Sequence, residues 1–222
     1  MPNWTHNVVT ITGNAKTIAE IKDLLRSDDT VFDFEKIIPI PESLKVESGG
    51  MENIAMEMAS SAPYSIARDN ARNRMKNMLP YTASHQTKTV ISELKTENDV
   101  IALGKVYLEN KKKYGYADWY GWCCDNWGTK WNACNPSITS ESKTALIYKF
   151  DTAWSEPTPV LKALSEKYPD IDISTDANYE DPEPWTTFTT TFKDGEITSQ
   201  SSTVDEDLRR EYEEDNEDEE DD

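Results

Sequence analysis

The side chains able to act directly on a substrate are few and scattered. Two histidines, His6 and His85, and three cysteines, Cys123, Cys124 and Cys134, supply the groups that titrate or attack near neutrality. Adjacent Cys123 and Cys124 do not make a Cys-x-x-Cys knuckle, and neither histidine is close to them in sequence. No metal site and no cofactor is therefore expected. No Walker loop, dinucleotide-binding glycine pattern or His-Glu-x-x-His is present. With 42 Asp and Glu residues, no particular carboxylate pair stands out as a catalytic acid and base. No catalytic residue is assigned, and the chemistry that remains is that of binding.

Two features carry it. Asp170, Asp172, Asp176, Glu180, Asp181 and Glu183 form an acidic run without a Lys or Arg among them. On an exposed strand, such spacing puts carboxylates in a row. From Asp205 to Asp222 a tail holds thirteen acidic residues and two arginines, with Glu213, Glu214 and Asp215 at its middle. Leu208 and Tyr212 alone cannot offset its chain entropy, so it reads as disordered or solvated. The second feature is aromatic: Lys105 to Asn132 holds eight aromatic residues in 28, including Trp119, Trp122, Trp127 and Trp131. Alternation predicts that Trp127, Thr129 and Trp131 share one face of a strand, with Lys130 on the other. Packing in the core is the first reading of these rings, and a platform for stacked bases is the alternative.

These features need elements to position them. Asn7–Thr12 reads as a strand ending at Gly13, and Ala15–Ser27 as an amphipathic helix capped by Asn14. Phe32-Asp33-Phe34-Glu35 alternates and predicts a second strand running to Ile38. Tyr64–Leu79, with Arg68, Arg72, Arg74 and Lys76, and Asn98–Lys113 read as helices of an insertion at about 42–113. Lys143–Phe150 is a strand with Leu146, Tyr148 and Phe150 on one face, followed by a helix to Tyr168 and a short strand at Ile171–Ser174. Thr186–Phe192 and Glu196–Thr203 read as a hairpin turning at Asp194-Gly195. The order implies an α+β fold: a ferredoxin-like antiparallel sheet in residues 1–204, with helices on one face, a helical insertion and the tail at 205–222.

Asn126-Trp127-Gly128-Thr129-Lys130-Trp131-Asn132, preceded by Asp118-Trp119, resembles the hallmark of the YubB-type ferredoxin-like family of phage and plasmid proteins. Pro2-Asn3-Trp4, the strand ending at Gly13 and Ile38-Pro39-Ile40-Pro41 are similar to the same pattern. The resemblance covers roughly Met1–Pro41 and Tyr114–Gln200, and it implies the fold and a mobile-element origin without an activity.

Charge narrows the partner. The chain carries −19, of which the tail contributes −11 and the body −8. Such a field repels nucleic acid and favours basic protein surfaces. The start of the chain lacks the basic and apolar pattern of a signal peptide, and no run suits a membrane span, so a host cytoplasm is expected. Together these readings point to a non-catalytic, mobile-element accessory protein that inhibits a host defence or nucleic-acid-handling enzyme as an acidic nucleic-acid mimic. A single-stranded nucleic acid binder using Trp127, Trp131, Lys130 and the basic helix is the alternative, and an enzyme with an unrecognised site is a third.

Overall fold

In the computed structural model, residues 3–78, 96–181 and 183–220 are described. The chain divides into two compact units, one of Met1–Pro39 with Cys123–Asp222 and the other of Ile40–Trp122.

The first unit is a six-stranded antiparallel sheet. Its strands are β1 (Trp4–Thr12), β2 (Cys134–Glu141), β3 (Ala145–Ala153), β4 (Asp172–Tyr179), β5 (Thr186–Lys193) and β6 (Glu196–Val204), in the order β2-β3-β1-β4-β5-β6. With α1 (Ala15–Leu25) after β1 and a second sheet-packing helix, Thr158–Lys167, between β3 and β4, the first four strands have the ferredoxin-like arrangement. Alternation does the sorting. Val9 and Ile11 of β1, Leu146, Tyr148 and Phe150 of β3, and Ile173 of β4 are buried on one face. Against them pack Ile18, Ile21 and Leu25 of α1, and Val160, Leu161 and Leu164 of the second helix. Asn14 caps α1 as expected, its side chain accepting from the Lys16 and Thr17 amides. The hairpin turns at Asp194 and Gly195, both at positive φ (50° and 77°), as a two-residue turn of this hand requires.

Two expected strands are corrected. Phe32–Ile38 contains a short 3-10 helix, Phe34–Lys36, instead of a strand. Asp33 accepts from the Glu35 amide and starts that turn, while Phe32 and Phe34 are fully buried. Both edges of β1 are already taken by β3 and β4, which leaves no slot beside it. The strand that completes the ferredoxin-like set is β2, after the insertion. Trp127–Trp131 is not a strand either: Trp119–Trp127 is a helix, and Gly128, at φ 77°, ends it in a left-handed turn. β4 is longer than expected, reaching Tyr179.

The two sheet edges differ. β2 carries Pro136 and two register irregularities. β6 is exposed at all nine positions and has no charged residue from Ile197 to Val204. Beyond it, Glu206–Glu220 is helical, and its described side chains are exposed, so the tail adds nothing to the core, as expected for a solvated segment.

The second unit contains α2 (Met51–Ser60), α3 (Ile66–Met78) and α4 (Glu97–Tyr114), followed by α5 (Trp119–Trp127), which crosses into the first unit. The expected Tyr64–Leu79 helix begins only at Ile66, with Tyr64 at positive φ (62°), and Leu79 lies outside the described residues. The helix α4 opens on a capping box of Thr96 and Asp99 and closes at the left-handed Gly115. Its core includes Ile54, Ala55, Met58, Ala71, Val100 and Tyr107. Gly104 lets α4 approach α2 closely, since a Cβ there would lie 1.9 Å from the Ala55 carbonyl oxygen.

In an open helix interior, Gly→Ala stabilises by about 1 kcal/mol. Here Gly104→Ala is expected to have the opposite sign, costing about 1–3 kcal/mol by overpacking. Urea unfolding followed by far-UV circular dichroism measures it, and a gain in stability would show that the helices can part.

Candidate partner-binding surface

The acidic run does not form a free carboxylate row. Of its six carboxylates only Asp172 and Asp176 lie on β4, an interior strand paired with β1 and β5. Asp170 accepts from Asn14 Nδ2 (2.5 Å) and Thr17 Oγ1 (2.9 Å), bracing the start of α1. Asp172 pairs with Lys193 at 3.1 Å, and Asp176 accepts from Thr189 Oγ1 at 2.6 Å. Glu180 accepts from the Trp4 amide at 2.7 Å, Asp181 from Asn3 Nδ2 at 3.1 Å, and Glu183 from Thr186 Oγ1 at 3.2 Å. Each of the six thus has a local partner. Glu214 of the tail is exposed, while the side chains of Glu213 and Asp215 lie outside the described residues.

Charge is nevertheless sharply divided. Ile40–Trp122 holds ten acidic and eleven basic residues, a net +1, so the sheet unit carries −20. Within that unit Asp23, Asp28 and Asp29 are exposed around a shallow concavity that also includes Asp33 and Glu35, with the exposed Arg26 and Lys36 among them, a net excess of acid.

The aromatic segment splits into buried and exposed parts. Trp127 is 2% exposed, donates its indole N–H to the Ile38 carbonyl (2.9 Å) and meets Phe34 edge-on. Thr129 is buried and donates to the Ala153 carbonyl. Asn132 accepts from the Phe34 amide and donates to Asp33, tying the motif to the 3-10 turn. Trp131 is half-buried, 6.1 Å from the Trp4 ring. The Lys130 ammonium lies 4.3 Å from the Trp131 ring centroid and 5.4 Å from that of Trp154. Trp154 is 45% exposed and adopts a positive φ (71°). It was not singled out in the sequence, because it stands alone after the strand β3. In the second unit, Trp122 is buried and Trp119 half-buried against Tyr120.

The arginines of α3 are internally engaged. Arg72 makes a bidentate pair with Glu97 (2.7 and 2.8 Å), Arg74 pairs with Glu57, and Arg68 donates to the Met58 carbonyl. The Lys76 side chain lies outside the described residues. Three cations that sequence alone offered to phosphate are thus spent on packing.

The sheet face turned away from the helices presents His6, Lys149, Asp151, Asp172 and Asp176 among Ser and Thr side chains. His6 Nδ1 is 2.7 Å from Asp151 Oδ1. Burial pushes the Cys124 and Cys134 thiols up, the reverse of an activated nucleophile. Among the described residues no group of three His, Cys, Asp or Glu side chains is placed to hold a metal ion. No helix of the described residues is long and apolar enough to cross a membrane.

Residues 126–221 match the family model of the ferredoxin-like domain in Api92-like protein. That match begins at Asn126, the first residue of the Trp-rich motif. The crystal structure of a protein api92 from Yersinia pseudotuberculosis is similar over 91% of this chain and 98% of its own, at 10% identity and a TM-score of 0.47. No curated protein matches the chain.

One ionisable group was not foreseen. Glu156, between β3 and the helix Thr158–Lys167, is 8% exposed; Oε2 accepts from Thr190 Oγ1 (3.3 Å), and Oε1 has no protein partner. Burial pushes its carboxyl up to about 7, only partly offset by the Thr190 hydrogen bond. The unfolded chain releases this proton near 4.5, so the contribution is full below that pH and is lost as pH rises through about 7. Glu156→Gln is expected to remove this slope, gaining up to about 3 kcal/mol over wild type above pH 7. Parallel denaturant titrations at pH 4.5 and 8 measure it, and an unchanged difference between the two proteins at both pH values would refute the buried-proton account.

Proposed function

We propose that this chain acts by binding rather than by catalysis, and that its sheet unit engages a basic protein surface in the manner of an acidic nucleic-acid mimic. The observation that carries this is the segregation of charge: −20 in the sheet unit against +1 in the helical unit. Carboxylates on such a surface attract Arg and Lys over distances of a Debye length and so speed encounter. The pinned members of the 170–183 run contribute to the field with fixed geometry, while Asp23, Asp28, Asp29 and the described acidic side chains of the tail, Asp205, Glu206, Asp207, Glu211 and Glu214, contribute exposed charge. The resemblance to YubB-type proteins of phages and plasmids adds a setting: a mobile-element protein in the host cytoplasm that covers the nucleic-acid groove of a defence or nucleic-acid-handling enzyme.

A second reading, single-stranded nucleic acid binding, is favoured by one observation, the partly exposed cluster of Trp4, Trp131 and Trp154 around Lys130. Base stacking on such rings contributes about 1–3 kcal/mol per base. The paired arginines of α3 and the sign of the unit's charge work against it.

Neutralising all of 170–183 would confound binding with folding, because Asp170 and Glu180 brace α1 and β1. The cleaner variants are Asp23→Asn with Asp28→Asn and Asp29→Asn, and truncation after Val204. Binding to a basic host protein captured on the immobilised chain should weaken steeply from 0.1 to 1 M salt, where the Debye length falls from about 10 to 3 Å. Both variants should slow association more than they speed dissociation. Salt-independent binding, equal in all three proteins, would rule out charge as the driver. A gel shift of an oligo-dT strand that is lost in Trp154→Ala would favour the second reading instead.

A further inference from the structure

Near the junction of β4 and β5, large apolar side chains remain in solvent. Phe188 is 36% exposed, Val204 44%, Leu208 44% and Tyr212 46%, and Tyr179 and Trp185 are half-buried. Register places Phe188 opposite Ala177 and Val204 opposite Thr186, both partners being buried, so both side chains belong to the helix-covered face of the sheet. Rings link the rest: Tyr179 meets Phe188 edge-on at 5.4 Å, and Trp185 meets Tyr212 at 5.1 Å. Leu208 and Tyr212 are four residues apart on the last helix and so share a face.

Isolated apolar residues at a surface are ordinary, but a cluster rich in aromatics and rimmed by one sign of charge marks an interface. The rim here is acidic: Glu183, Asp205, Glu206, Asp207 and Glu211 adjoin these residues in sequence. The two basic groups of this helix pair with carboxylates on the same helix, Arg209 with Glu206 (3.9 Å) and Arg210 with Asp207 (3.2 Å), which leaves Glu183, Asp205 and Glu211 as the net negative rim.

We propose that Tyr179, Trp185, Phe188, Val204, Leu208 and Tyr212 form a docking surface for a basic, amphipathic segment of a protein partner. Apolar side chains of that segment seat on the rings, and its Lys and Arg residues meet the acidic rim. A second copy of this chain is a poor occupant, because two units of −20 repel one another. The inference rests on the proposed function and deepens it, adding an apolar anchor and its place to a binding reading built on charge.

The test uses the full chain and two synthetic peptides of equal positive charge, an amphipathic Leu/Lys helix and an oligolysine, titrated by calorimetry in 0.15 M salt. Wild type should bind the Leu/Lys peptide roughly tenfold or more tightly than oligolysine, as burial of apolar anchors at an interface requires. Phe188→Ser with Leu208→Ser should abolish that preference and keep oligolysine binding. Leu208→Ser alone, on a helix outside the core, should reduce it without altering the melting curve. Tyr64→Ser with Ile66→Ser, at exposed positions of the helical unit, should leave it unchanged. Equal affinity for the two peptides, or a preference that survives the Phe188/Leu208 change, overturns the surface while leaving the charge reading standing. Absence of oligolysine binding at low salt instead sinks the charge reading itself. A concentration-dependent dimer in sedimentation that disappears in the double variant would assign the patch to a second copy and overturn the proposal.

Discussion

Strand β1 sits between β3 and β4, and both of its partners come from the other half of the chain. Trp4 to Thr12 pairs in unbroken register with Ala153 to Ala145 on one side, and Thr5 to Thr12 with Tyr179 to Asp172 on the other. A slip of one residue would turn Val9 and Ile11 out of the core and His6 into it. The polar contacts at the two ends of β1 stand at the limits of this register. Asp170 reaches α1 beyond Thr12, and Glu180 takes the Trp4 amide at the start. The acidic run is therefore partly a fastening for the central strand, and its negative field is a by-product of residues also needed for the fold.

The elements that the sequence shows well are those whose periodicity agrees with their burial. β3 alternates Leu146, Tyr148 and Phe150 inward, α1 repeats Ile18, Ile21 and Leu25, and Asp194-Gly195 has the residues its turn needs. The failures come from patterns that copy a period without its hydrogen bonding. Phe32 and Phe34 alternate, but Asp33 offers its carboxylate to a backbone amide and starts a 3-10 turn. Trp127, Thr129 and Trp131 alternate because a helix end and a turn happen to bury the first two. β2 hides behind Pro136 and an irregular register, and the sequence pattern of β4 stops at Ser174 because Asp176 and Asn178, on the solvent face, dilute it.

The candidate surface was legible as charge and illegible as geometry. A count gives −19 without saying that one unit holds essentially all of it, and the expected insertion at about 42–113 starts close to Ile40 but stops short of Trp122, where the helical unit ends. The basic helix looked available for phosphate until Glu57 and Glu97 arrived beside it from distant positions. Glu156 looked like one carboxylate among many, and its burial follows only from the packing of the loop before the second sheet helix. Phe188 and Val204 are ordinary strand residues in sequence. Their exposure becomes meaningful when Tyr179 and the last helix are seen next to them.

The unequal edges of the sheet assign the acidic tail one more physical role. An uncharged strand margin such as Ile197–Val204 is a template on which other chains can add themselves, and natural sheets usually blunt it with a lysine, a proline or a bulge. β2 has the proline and the irregularities; β6 has little beyond one shift in register near Phe192. Immediately after β6 the chain supplies thirteen carboxylates. Any molecule stacking its own β6 alongside would bring a second such cluster into the same space. The tail thus works as a gatekeeper, keeping a bare strand from seeding aggregates by repulsion at a distance.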